Sequence, residues 1–286
     1  MAINKEAEIE SIIKILEKRN AKLYHACQLK DFRSYVELGG VPSRAKLQSS
    51  GLDFTKFDTD SIDKHNNVWD KVFGNFSDFG RNFARENTKS QPNPYGPIQI
   101  VFNARALYAA TDLSITLRSA GAKDFNRDQE CLQSAQQFNL IFQHTDIDNT
   151  PDTQKNYIAF ADTLNQRFNR KNCTSPEFNC TIENQILSFQ NAAYIIVDSC
   201  IYKEKELIRE VEQIAPKNCV NRTYQSEHKK SLIQELSALS ATNDCTKQLL
   251  INGSFATREL KYWVNNCDEF HYNRFIRYLT DGTTRA

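Results

Sequence analysis

No run of eighteen apolar residues occurs anywhere in the 286-residue chain, which excludes a simple helical membrane span. One-sided charge is missing as well. The 36 Lys and Arg stand against 35 Asp and Glu for a net charge of +1, so a protein that holds nucleic acid by bulk charge is excluded and only a local basic groove stays open. The glycine-based phosphate loops are absent, Gly-x-Gly-x-x-Gly and Gly-Lys-Ser/Thr alike, and so are the Gly-x-Ser-x-Gly elbow and His-Glu-x-x-His. Bound phosphates would need another cradle. Eight cysteines are present, but Cys173, Cys180, Cys219, Cys245 and Cys267 form no close two-residue pair of the zinc-finger kind, so buried free thiols are expected and no metal site. The N-terminus carries Lys5 and Glu6 with no apolar stretch behind them, and the expectation is a soluble, cytoplasmic protein. Asn172, Asn179, Asn221 and Asn252 fit the glycosylation acceptor pattern and carry little weight without a secretory leader.

What is there suffices for a packed core: 40% hydrophobic and 11% aromatic residues, with length for one large or two small domains. Ile9, Ile12, Ile13 and Leu16 recur at helical spacing and predict an amphipathic helix over 2–20. Leu23 to Cys27 reads as a short apolar strand, followed by a turn at Lys30 and Asp31 and a helix stopped by Gly39 and Gly40. Residues 49–97 show little regular periodicity and many aromatic and aspartate side chains, the composition of a long functional loop. Ile98 to Phe102 predicts a strand and 103–112 a helix. The polar stretch 118–179 is assigned to peripheral helices and loops, with a helical piece over 154–168. Strands are predicted over 181–189 and 193–202, a helix over 203–214 ending before Pro216, and, in the last seventy residues, helices over 227–239 and 256–264 with no strand. The order of elements is α+β, a sheet core with peripheral helices, divided as a domain over 1–215 and a helical extension over 216–286.

Few residues remain as carriers of chemistry: His25 in the first strand, Arg44 after the double glycine, the aromatic loop, and two carboxylates, Glu183 and Glu130. Each alone reads as an ordinary core or surface residue. Four blocks taken in order say more. LYHACQLKDFRSYVELGGVPSR (Leu23 to Arg44) resembles the opening of NAD-dependent ADP-ribosyltransferases of the DarT type, KVFGNFSDFGRNF (Lys71 to Phe83) their aromatic strand, and PIQIVF (Pro97 to Phe102) the next core strand. IENQILSFQNAAYIIVDSCIYKEKELIREV (Ile182 to Val211) is similar to the closing block, in which a Glu opens a strand and a second strand leads into a helix.

That resemblance implies a split β-sheet core and NAD as co-substrate. It implies Glu183 as the catalytic carboxylate that stabilises an oxocarbenium-like state and takes a proton from the nucleophile. Arg44 is the candidate for the pyrophosphate, His25 for the adenosine ribose, Asp31 for a ribose hydroxyl, and Phe73, Phe76 or Phe79 for a wall against nicotinamide. Two positions depart from the pattern. The stretch before the aromatic strand, TDSIDKHNNVWDK, lacks the usual arginine, and Asp31 stands where the family has Asn. The implied acceptor is a nucleic-acid base in single-stranded DNA or RNA, and the implied role a toxin of a toxin-antitoxin or phage-defence system with an antitoxin protein as partner. Arg81, Arg85, Lys89, Arg118, Lys123 and Arg127 are the candidates for a basic groove. Glu130 stays as a rival carboxylate, and a protein acceptor or a non-catalytic binding module on the same scaffold as alternative functions.

Overall fold

The computed structural model describes residues 6–55, 60–78, 80, 93, 95–122, 124–198, 201–202, 205–217 and 220–223. It opens with helix α1, Glu6–Lys18, whose Ile9, Ile12, Ile13 and Leu16 are all buried, as the spacing requires. Strand β1, Lys22–Cys27, leads into α2, Leu29–Leu38. Lys30 and Asp31 are therefore not a turn but the first turn of that helix. The Asp31 carboxylate reaches back to the Gln28 backbone N–H at 3.3 Å, one half of a capping box, and this is why an acidic residue there reads ambiguously in the sequence.

After α2, Gly39 takes a positive φ of 77° and Gly40 enters strand β2, Gly40–Pro42. A Cβ on Gly40 would lie 2.3 Å from the Leu187 carbonyl oxygen, so this close approach of two backbones needs glycine. Helix α3, Arg44–Ser50, α4, Asp60–His65, and strand β3, Val72–Asn75, give regular structure to part of the stretch expected to be a long loop. Strand β4 is Ile98–Asn103. The helix expected over 103–112 is a 3₁₀ turn at Ala104–Ala109, and the rest is strand β5, Ala110–Thr116, whose pairing with the next strand overrides local propensity. Short helices α5, Arg127–Glu130, α6, Ala135–Asn139, and α7, Ala161–Phe168, follow.

The strand predicted over 181–189 is in fact two: β6, Glu177–Ile182, and β7, Ile186–Ser188, parted by a turn in which Gln185 has φ 55°. Strand β8 is Ala192–Val197, β9 Ile201–Tyr202, β10 Lys205–Glu206, helix α8 Leu207–Ile214 and strand β11 Val220–Thr223. That last strand corrects the expectation that the final seventy residues hold none; the helices expected over 227–239 and 256–264 lie outside the described residues.

Seven strands form one sheet in the order β11-β8-β4-β1-β3-β6-β5, while β2 and β7 pair separately as an antiparallel two-stranded sheet, with Val41 opposite Leu187. The fold is α+β with a split sheet, as expected. Two compact units divide the chain, the first built from Met1–His25, Arg33–Asp78 and Ile100–Tyr194, the second from Ala26–Phe32, Phe79–Gln99 and Ile195–Ala286. In the first, α1 packs on the 3₁₀ turn, α6 and β5. Its aromatic centre joins Phe76 to Phe138 at 5.0 Å and to Phe178 at 5.3 Å, with Phe138 edge-on to Phe142. Arg19, 1% exposed, donates to the carbonyls of Lys155, His144 and Thr145 and to Asn139 Oδ1, and lies 4.2 Å over Phe142, fixing the segment 139–155 to the end of α1. Within the second unit, α8 buries Leu207 and Val211. Among the described residues no helix is long and apolar enough to cross a membrane, and Cys27, Cys131, Cys173 and Cys180 are free and buried.

Candidate active site

His25 sits half-buried on β1, with Nδ1 2.8 Å from the Phe73 carbonyl oxygen and Nε2 3.2 Å from the Tyr35 hydroxyl. Burial drives its pKa down to about 4, the Arg44 charge pushing the same way against the Phe73 carbonyl, so the ring is neutral near pH 7. A carbonyl only accepts, which assigns the proton to Nδ1 and makes Nε2 the acceptor of the Tyr35 O–H. Both ring nitrogens are engaged, and His25 clamps β1 to β3 and to α2. A direct ribose contact through this ring would have to displace Tyr35.

Arg44 opens α3 behind Ser43, whose hydroxyl caps the helix by accepting from the Lys46 N–H at 3.0 Å. Its guanidinium donates to the Thr55 carbonyl at 2.5 Å and to both Asp60 carboxylate oxygens at 3.1 and 3.2 Å. It lies over the rings of Phe54 at 4.7 Å and Trp69 at 5.7 Å. Arg44 is thus rigidly held beside an aromatic pair, already matched to a carboxylate. Asp63, on the same helix as Asp60, is pushed up to about 6, by burial first and then by Asp60, with Arg44 opposing.

Glu183 does not lie within a strand. It is exposed, in the turn between β6 and β7 that closes with the Gln185 N–H on the Ile182 carbonyl at 2.8 Å. That turn is fastened to α3: the Ser43 N–H donates to the Gln185 carbonyl at 2.8 Å, and the Ser43 hydroxyl to Gln185 Oε1 at 2.8 Å. These two hydrogen bonds tie the turn that bears Glu183 to the residue preceding Arg44. Of the sequence candidates, Arg44 is near enough to His25 for its charge to act on the ring.

The other candidates fare differently. Asp31 belongs to the second unit, 1% exposed, and serves the α2 cap described above. Phe73 is half-buried on β3, whereas Phe76 is 2% exposed inside the aromatic core and is a packing residue, because its ring faces are taken by Phe138 and Phe178. Phe79 lies outside the described residues. Glu130 is bound by Arg118 through Nε at 2.5 Å and Nη2 at 2.7 Å and also accepts the Asn126 N–H at 2.8 Å. The Arg118 bond holds its carboxyl below the usual carboxylate range, and both its oxygens are bonded within the fold. Arg118 is spent on Glu130 and Asp124, which removes it from the basic-groove candidates. Arg81, Arg85, Lys89 and Lys123 lie outside the described residues.

Sequence reasoning missed a polar network on the sheet. Lys71, 6% exposed, bonds Asp112 at 2.7 and 3.0 Å and Thr181 at 3.1 Å, and the Thr181 hydroxyl donates to Asp112 at 2.7 Å. A β-bulge at Thr111 lies across from the end of β6, one residue before Glu183. Glu177, also on β6, is pushed up to about 8 by burial, with the Ala120 N–H at 2.5 Å opposing and Asp63 adding to the rise. The signal was available: EFNCTI alternates polar and apolar with period two, a strand beginning four residues earlier than predicted.

The chain matches no family model, and no curated protein matches it. Among solved structures it is similar to Thermus sp. 2.9 DarT in complex with ADP-ribosylated ssDNA, with a TM-score of 0.40 and 12% identity over 71% of this chain and 93% of that one. It is also similar to Thermus sp. 2.9 DarT in complex with NAD+, at 0.38 and 12% over 71% and 94%, and to Thermosipho africanus DarTG in complex with ADP-ribose, at 0.36 and 10% over 71% and 49%.

Proposed function

We propose that the chain is an NAD-dependent mono-ADP-ribosyltransferase that modifies a nucleic-acid base and acts as the toxin of a toxin-antitoxin or phage-defence pair. The observation that carries this reading is the Ser43–Gln185 clasp, which ties the turn bearing the exposed Glu183 to the start of α3, where Arg44 stands. The four sequence blocks that resemble the DarT type supply these same residues.

In this mechanism NAD is a substrate. Glu183 stabilises the positive charge that develops on the ribose as the nicotinamide–ribose bond breaks. A ring nitrogen or hydroxyl of the acceptor then bonds to the anomeric carbon, and its proton passes to the Glu183 carboxylate while nicotinamide leaves with the bond's electron pair. Arg44 binds the pyrophosphate by exchanging Asp60 for it, since both offer paired anionic oxygens to one planar fork. His25 acts at second hand, fixing Tyr35 and β3 rather than touching the ribose through its own ring.

The test is incubation of the purified protein with labelled NAD and separate pools of single-stranded DNA, duplex DNA, RNA and protein, beside Glu183→Gln and Glu130→Gln. Label in one nucleic-acid pool, abolished by Glu183→Gln alone, supports the reading. Label in protein instead moves the acceptor class. An absence of label from every pool, with NAD failing to raise the melting temperature, overturns it in favour of a binding module.

A further inference from the structure

The polar face of β6 aligns with β3 and β5 in three cross-strand rows. Asn179 stands opposite Phe73 and Ser114, Glu177 opposite Asn75 and Thr116, and Thr181 opposite Asp112. Directly opposed residues of antiparallel strands share a face, so these rows point away from Phe178, Cys180 and Ile182. The two outer rows are satisfied. Lys71, Asp112 and Thr181 bond one another, Glu177 accepts from Ala120, and the Thr116 hydroxyl donates to the Arg118 carbonyl at 2.8 Å.

The middle row is not. Asn179 is 2% exposed and its Oδ1 is buried with no hydrogen-bond partner among the described residues. Its neighbour Ser114, 1% exposed, meets Arg127 Nη2 at a long 3.4 Å, and the same guanidinium reaches the Asn66 carbonyl at 3.3 Å. An orphaned buried amide oxygen destabilises the fold, and a protein that keeps one between two paired strands has a use for it.

We infer that the row Phe73–Asn179–Ser114, with Arg127 beside it, is a binding subsite for a planar amide. The occupant carries an N–H donor next to a carbonyl acceptor, as in a primary carboxamide or the lactam edge of a nucleobase. An asparagine side chain offers an acceptor and a donor side by side in one plane, and this is the group that returns two parallel hydrogen bonds to it. The half-buried Phe73 supplies a flat apolar wall in the same row, and Arg127 supplies N–H donors to a further oxygen on the occupant. The inference stands apart from the transferase reading, because ligand binding is read directly and needs no transfer step.

The isosteric variant Asn179→Leu tests it, by thermal unfolding with nicotinamide, thymidine or benzoate as separate probes. The variant is expected to melt above the parent protein without ligand, since the orphaned amide is gone. The parent is expected to gain melting temperature from nicotinamide, which marks a carboxamide site, or from thymidine, which marks a base site, and the variant from neither. Benzoate, planar but without the N–H, is expected to have no effect. A variant that melts lower or does not fold shows that Asn179 is bonded within the fold, and overturns the inference. Equal response of variant and parent, or of benzoate and the amides, or no response in the parent, does the same. The Asn179 side-chain amide resonance of the unaltered protein gives a readout independent of any variant: it shifts on titration with the effective probe, and its silence sinks the proposal.

Discussion

Glu130 and Glu183 were rivals for one role, and the fold treats them in opposite ways. Glu130 spends its oxygens on the Arg118 fork and the Asn126 amide, while Glu183 sits exposed in a turn that is itself clamped through Gln185. A carboxylate whose lone pairs are consumed holds structure together. One exposed in a turn that is held through its backbone is open to a visiting group. The same contrast separates Lys71–Asp112–Thr181, closed on itself, from the open middle row around Asn179.

Breaking the closed side should produce the largest effect. Lys71→Met leaves the Asp112 carboxylate without its ammonium and is expected to cost about 3–5 kcal/mol in denaturant unfolding, part of it recovered when Asp112→Asn is added. Removing charge on the open side should act on chemistry instead. Glu183→Gln is expected to lower label transfer by about 10²–10³-fold, on the scale of losing one electrostatic stabiliser, with an unchanged melting temperature. Glu130→Gln sharpens the contrast: about 1.5–3 kcal/mol of stability lost by denaturant unfolding, and transfer per folded molecule retained.

A further effect concerns pH. Burial lifts Glu177 to about 8 in the folded chain from its ordinary 4.5, so the folded state holds the proton more tightly and stability falls as pH rises from about 4.5 through 8. Glu177→Gln, which still accepts from Ala120, is expected to flatten that decline in melting temperature measured between pH 5 and 9.

Much of the fold was legible. The apolar stripe of α1, the β-branched runs of β4 and β8 and the glycine stop after α2 are local signals, and each element formed at its pattern, although β8 ends at Val197 and Ile201–Tyr202 is a separate strand. What failed to show was structure made by pairing. β5 reads as a helix continuation and becomes a strand because β6 lies beside it, and β6 and β7 read as one strand because the residue at positive φ that parts them is Gln185 rather than glycine. In the candidate site, four short blocks proposed Arg44, His25 and Glu183, while Phe76 packs in the core, because an aromatic residue in a strand segment reads the same in sequence facing a core or a cleft.

The sequence by itself determined the class of fold, the charge balance and the short set of residues able to bear chemistry, because period and composition are properties of neighbours along the chain. Only the tertiary structure decided which carboxylate was already engaged, which ring nitrogen of His25 carries its proton and which buried amide has no partner. Those depend on hydrogen bonds between residues far apart in sequence, such as Ser43 with Gln185 or His25 with Phe73, whose pairing no local pattern encodes.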